Sequence, residues 1–389
     1  MKRTKKVLCL TLALTMISSI LTGCGKADAP SGKDSAQEAA PGEVVYKIAS
    51  IGPLTGDSSQ YGISLRNAAE LMAEIYNEAG GVNGGKIVIE VYDDKNDPKE
   101  TVNIANKLIA DESVLGVCGP FSSTCAMAAA PIFEKAQIPM ISPTSSHPDL
   151  TKNNDFIFRA TRTQDIETGE YVRFASDILK SKTVGIIYAQ NDWGMTINDV
   201  FTKGFEEKGG VVAVSEPYIV GQTKDFSPLI SKVKAAGVDT FFLVAMYDDA
   251  AKIIKQAHSL ELDAKYVAPS SVLKDEFIDL LGEDAEGLFL MSGFIPGSDD
   301  PVYRAADEAY MKKYGTPIDQ FGMGSYDVIM MFAEAIKDVG ADRAGIRDWL
   351  LGMVDFRGCS GLYTMTPEGD PLKPCFPMIV KDGQFIEYK

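Results

Sequence analysis

Histidine is nearly missing: His147 and His258 are the only two in 389 residues, and neither stands at metal-ligand spacing from a cysteine or from the other. No metal and no cofactor is expected from such a set. A G-x-S-x-G elbow is also absent, so no serine has a recognisable nucleophile setting, and no catalytic residue is assigned. The glycine-rich stretch AGGVNGGK (79–86) follows a helical pattern and precedes a strand, the reverse of a phosphate-cradling loop, and reads as a turn. Cations are scarce too. The chain has 38 Lys and Arg against 54 Asp and Glu, a net charge of −16. A surplus of this sign excludes nucleic acid and anionic membrane surfaces as partners.

Long apolar runs are confined to the start. Lys2, Arg3, Lys5 and Lys6 precede VLCLTLALTMISSI (7–20), and the run ends in LTGC at Cys24. It is shorter than the roughly 20 residues a membrane span needs, and small residues stand before the cysteine. The segment resembles a bacterial lipoprotein signal. That resemblance implies a signal peptide over 1–23, lipidation of Cys24, and a flexible tether over 24–44, the latter rich in Ala, Gly, Ser and Pro. Cleavage would remove four cations and leave a net charge of −20. The exported body keeps four cysteines, Cys118, Cys125, Cys359 and Cys375. Outside the cytoplasm an even set suggests disulfides. Proximity favours 118 with 125 and 359 with 375, with two buried thiols as the alternative for the first pair.

From Val45 onward, short β-branched runs alternate with longer amphipathic stretches. YKIASIG, KIVIEVYDD, VLGVCG and IPMISP read as strands separated by helices; a second series runs through TVGIIYA, VVAVSEPYI, DTFFLVAMY and KYVAPS. Alternation of this kind gives α/β architecture, and two series of it give two doubly wound parallel-sheet lobes. Ligands of such sheets bind beyond the carboxyl ends of the strands, so the loops there carry the functional content.

Those loops are GPLTGDSSQYG, YDDKNDP, GPFSSTCA, SPTSSHPDLT, YAQNDWGM and VAMYDDAA. Hydroxyls and helix-start N–H groups suit a carboxylate, an acid suits an ammonium, and aromatics make walls, a combination fit for a zwitterion. Each feature also has a plainer use. One of Ser122, Ser123 and Thr124 can cap a helix, Ser142 and Ser145 can be turn residues, Asp93 and Asp94 solvated strand-end carboxylates, and Tyr61 and Trp193 loop anchors.

The order IASIGPLTGDSSQYG, GGVNGGKIVIEVYDDKNDP, GPFSSTCA, ISPTSSHPDLT, IFRAT, DWG, TKDFSPLI and GFIPGSDDP closely resembles the branched-chain amino-acid-binding proteins of bacterial ABC importers, of the type I periplasmic-binding-protein fold. The resemblance implies two lobes joined by a three-crossing hinge, with an N-terminal lobe over 45–161 plus 274–355 and a C-terminal lobe over 162–273 plus 356–389. It further implies that Ser123 binds a ligand carboxylate with help from Ser146, that the backbone of Thr144 meets the ammonium, and that Tyr61, Trp193 and Phe294 border the side-chain pocket. Asp249 falls where these proteins carry an ammonium-binding acid, with Asp248 left as helix cap, and Arg159 would brace the lobe crossing. The expected protein is an extracytoplasmic, monomeric lipoprotein anchored by Cys24 and serving ABC importer permease subunits. A sensory ligand-binding domain for an amide or urea is the alternative.

Overall fold

The computed structural model of the protein describes residues 44–389; the signal, Cys24 and the tether as far as residue 43 lie outside them. The first series of elements is β1 (Val45–Gly52), α1 (Ser59–Glu78), β2 (Lys86–Asp93), α2 (Pro98–Leu108), β3 (Val114–Cys118), α3 (Ser123–Ala136), β4 (Met140–Ser142) and β5 (Ile157–Arg159). They form a five-stranded sheet in the order β2-β1-β3-β4-β5, parallel throughout. Every residue of β3 is buried, as a central parallel strand covered on both faces requires.

The second series is α4 (Gln164–Arg173), β6 (Thr183–Ala189), α5 (Asp192–Glu207), β7 (Val211–Tyr218), α6 (Ser227–Ala235), β8 (Thr240–Val244), α7 (Tyr247–Ser259), β9 (Lys265–Ala268), α8 (Asp275–Leu281) and β10 (Phe289–Ser292). The chain then returns to the first lobe as α9 (Pro301–Tyr314), α10 (Gln320–Val339) and α11 (Arg343–Leu351). A small sheet follows, β11 (Phe356–Gly358), β12 (Gly361–Met365) and β13 (Pro371–Leu372), before β14 (Phe376–Lys381) and β15 (Gln384–Glu387) close the chain. The second sheet has the order β15-β14-β10-β9-β8-β6-β7, with antiparallel pairing only where β14 meets β10 and β15.

Chain passage differs from the boundaries expected at 273 and 355. β10 pairs with β9, so the second lobe runs on to Ser292, and the small sheet packs on α9 and joins the first lobe, so the final return comes after β13. Sequence alternation had no signal there, because an antiparallel terminal hairpin completes the sheet without a helix. The crossings thus follow β5, β10 and β13. Arg162 in the first of them donates to the carbonyl of Pro374 in the third at 2.5 Å, and a Cβ on Gly293 in the second would lie 2.9 Å from its guanidinium. Arg159, fully buried, braces the end of β5, pairing with Asp370 at 2.6 Å and donating to the carbonyl of Ser145 and the hydroxyl of Thr151.

All four cysteines are free, so the expected Cys359–Cys375 disulfide is absent and Cys118 and Cys125 take the alternative of two buried thiols. Cys118 enters the core beside α10, 3.2 Å from the Ser325 hydroxyl, whereas Cys125 faces Asn96 at the start of α3. Cys359 reaches the carbonyl of Met323, while Cys375 packs under the second sheet. Neighbours in sequence therefore sit in different layers, and burial pushes the Cys118 and Cys375 thiols up to about 12.

Asp94 is likewise not a solvated strand end. It is fully buried, and burial lifts its carboxyl to about 6 against bonds from the Asn96 N–H and the Thr101 hydroxyl. Because this native value lies above the unfolded one, near 3.9, the folded protein keeps a proton between pH 4 and 6 that the unfolded chain releases. Stability from this group is therefore highest below pH 4 and falls as pH rises through about 6. Asp94→Asn should gain on the parent by on the order of 2 kcal/mol between pH 4 and pH 7 in denaturant unfolding. A variant-minus-parent difference that does not move with pH contradicts this.

Candidate functional site

The start of α3 and the loop after β4 are built on each other. Gly119 adopts φ +123°, and a Cβ there would stand 2.2 Å from the carbonyl of Ile51, so glycine is what lets the chain leave β3 hard against β1. Beyond it the three hydroxyls divide their work. Ser122 caps α3, its oxygen accepting from the Cys125 N–H at 3.3 Å. Ser123 accepts from the Ser145 hydroxyl at 3.2 Å, and Thr124 donates across the lobes to Asp192 at 2.8 Å. The second loop is hooked on by Ser142 to the carbonyl of Pro120 and by Thr144 to that of Phe121.

Between the lobes lies a cavity of about 150 Å³. This is the size of space that in a protein interior can hold a benzene ring. The first lobe contributes Ser122, Ser123, Thr144 and Ser146, with Phe121, Pro143 and Phe321 as apolar walls. The second contributes Gln164, Glu167, Thr168 and Tyr171 from α4, Trp193 and Ile197 from α5, Met246 before α7, and Ser270 and Ser271 after β9. One wall is therefore rich in donors at a helix N-terminus, where the dipole favours negative charge. The other wall carries Glu167, the one charged residue among the described residues lining the cavity.

Of the residues singled out from sequence, Ser123, Thr144, Ser146 and Trp193 line the cavity, whereas Tyr61, Asp249 and Phe294 do not. Tyr61 is buried in the seam, stacked on Phe121 at 5.2 Å and edge-on to Phe321 and Tyr247. Asp249 lies in the first turn of α7 and is held by Lys252 of the same helix at 2.8 Å; a carboxylate three residues from a lysine on one helix finds it without a ligand. Asp248 does not cap α7 and instead receives a long 3.5 Å contact from the Tyr61 hydroxyl. Phe294 packs on Tyr303 beside the second crossing. The sequence reading missed the α4 face: Gln164, Glu167, Thr168 and Tyr171 recur at helical spacing, but no loop signal marks them, because they lie within a polar helix beyond the first crossing.

The lobes meet below the cavity around Lys274, which is almost fully buried. It reaches across from the second lobe to pair with Asp319, the N-cap of α10, at 2.8 Å, and lies 5.2 Å and 5.8 Å from the ring centres of Tyr247 and Tyr61. Burial works against the ammonium, yet Asp319 outweighs it and holds Lys274 above its ordinary value. Lys274→Met would strand Asp319, and losing one member of a buried charge pair costs roughly 2 to 5 kcal/mol. We expect a larger radius of gyration in solution scattering with the melting of each lobe retained. An unchanged scattering profile would show that the pair does not hold the lobes.

Comparisons with known proteins agree with this fold. The family model of the periplasmic binding proteins matches residues 45–384. A leucine-, isoleucine-, valine-, threonine- and alanine-binding protein of Pseudomonas aeruginosa is 32% identical over 297 residues, 76% of this chain and 78% of that protein. Among solved structures, the leucine-binding protein LivK of Thermotoga maritima superposes with a TM-score of 0.80 at 27% identity, covering 88% of this chain and 97% of that one. The branched-chain amino acid substrate-binding protein LivJ of Streptococcus pneumoniae, in complex with isoleucine, gives 0.81 at 25% identity with the same coverage.

Proposed function

The chain belongs to the periplasmic binding protein family, and from that premise we propose that it is an extracytoplasmic lipoprotein that captures an amino acid with a branched or other apolar side chain and delivers it to the permease subunits of an ABC importer. The observation that carries this reading is the pairing, across one small cavity, of a hydroxyl-lined helix start with an acid-bearing wall, the remainder being apolar. In this reading Ser123 holds the ligand carboxylate through its hydroxyl and backbone N–H, and Ser146 assists. The carbonyl of Thr144 takes one of the ammonium's three hydrogens, the other two being left for the opposite wall. Phe121, Phe321, Trp193, Ile197 and Met246 enclose the side chain. Two relatives support the ligand class: the Pseudomonas aeruginosa protein is named for leucine, isoleucine, valine, threonine and alanine, and the Streptococcus pneumoniae structure holds isoleucine. The protein works as a monomer, tied to the membrane by lipidated Cys24 through the 24–44 tether. Labelled palmitate should enter the parent and not Cys24→Ala; equal labelling rejects the anchor.

Binding is tested by incubating the purified protein with a pool of the twenty standard amino acids, related amides and urea and identifying what it retains. Leucine, isoleucine or valine is expected; retention of an amide or urea in their place would favour the sensory alternative. Ser123→Ala should weaken binding by about 1.5 to 3 kcal/mol, the worth of a hydrogen bond to a charged group. Melting of the ligand-free protein should barely change, because Ser122 is the cap. Intact affinity with stability lowered by about 1 kcal/mol would return Ser123 to a structural role.

A further inference from the structure

We propose that Glu167 and Gln164, one turn apart on α4, are the specificity-determining pair that receives the ligand's ammonium group, the task that Asp249 was expected to perform. The proposal rests on the amino-acid reading above and names the groups that would enforce it. Gln164 is 1% exposed, and its amide nitrogen donates to the carbonyl of Trp193 at 2.5 Å. That bond fixes the orientation of the amide, because only the nitrogen can donate to a carbonyl. The amide oxygen is left buried without a partner, on a residue that lines the cavity. A buried acceptor in this position costs stability unless something supplies a hydrogen.

Glu167 has half of its carboxylate spoken for. Oε1 accepts from the Ser270 hydroxyl at 3.2 Å and lies 3.7 Å from the Arg162 guanidinium, while Oε2 has no bond among the described residues. An ammonium has three donors, and this wall offers two acceptors, one neutral and one charged, at positions i and i+3 of one helical face. A zwitterion set between α3 and α4 would then place each of its charges against a group of opposite sign. An otherwise identical acid with hydrogen in place of the ammonium would set its methylene against Glu167 Oε2, leaving the carboxylate with only the Ser270 hydroxyl and Arg162 at Oε1 in compensation. Such a ligand is rejected by a desolvated, unpaired charge and not by shape.

The experiment starts from the amino acid the parent binds most tightly and its analogue lacking the ammonium, which for leucine is 4-methylpentanoate. If no amino acid binds, the reading of the previous subsection fails and this one falls with it. If one does, the parent should prefer it over the analogue by tenfold or more, and Glu167→Gln should lose at least tenfold for the amino acid while binding the analogue more tightly than the parent does, because the unpaired charge that rejects it is gone. Asp249→Asn should leave both affinities unchanged. Equal losses for both ligands would mean that Glu167 acts only by positioning Arg162 at the hinge. That result, no loss at all, or a loss in Asp249→Asn in place of Glu167→Gln overturns the proposal while leaving the amino-acid reading intact. Melting of the ligand-free variants reports folding. Should Glu167→Gln not fold, Gln164→Met carries the same comparison: a severalfold loss for the amino acid alone supports the pair, and any other pattern contradicts it.

Discussion

The buried ion pair between Lys274 and Asp319 is the contact on which the site depends, because it crosses from one lobe to the other beneath the cavity. Each lobe has its own sheet and its own core cluster, while a further cluster is shared across the seam. What the seam decides is whether the wall of α3 and the wall of α4 face each other. An ion pair is suited to that task, since it demands a definite geometry and adds little net stability once its desolvation is counted. The aromatic group of Tyr61, Phe121, Phe321 and Tyr247 fills the space around it with apolar surface from both lobes. A seam of this make-up holds the lobes in register through a core cluster to which both contribute.

The hinge side is organised by arginine in the same way. Arg162 touches all three crossings and also approaches Glu167, so the fulcrum and the cavity share one charged contact. Arg159 does not reach the cavity. Its role is to lock the end of β5 to the loop that carries Ser145 and to the turn at Asp370, which keeps the donor wall rigid.

Most of the fold was legible in the sequence. Runs such as TVGIIYA became β6 residue for residue, and the alternation of strand and helix gave both parallel sheets. The antiparallel end of the second sheet was not legible, because pairing between β10 and β14 joins segments more than eighty residues apart with no local pattern to announce it. The donor wall could be read for a physical reason: hydroxyls crowded at a helix start exceed what capping uses. The acceptor wall could not. Asp248 and Asp249 stood conspicuously after a buried strand, yet a lysine within one turn takes Asp249, while Glu167 sits in an ordinary polar helix and gains its position only when the first crossing folds α4 over the cleft. The cysteines show the same limit, since proximity in sequence said nothing of which layer each thiol would enter.

The central claim is that one wall of the cleft takes the ligand's carboxylate and the other its ammonium. A crystal structure of the protein with the amino acid it retains tests this most directly. The account predicts a carboxylate within hydrogen-bond distance of the Ser123 hydroxyl and backbone N–H, an ammonium between the Gln164 and Glu167 oxygens, and Lys274 still paired with Asp319. A ligand lying the other way round, or one whose ammonium contacts Asp249 and leaves Glu167 with Ser270 alone, would contradict it.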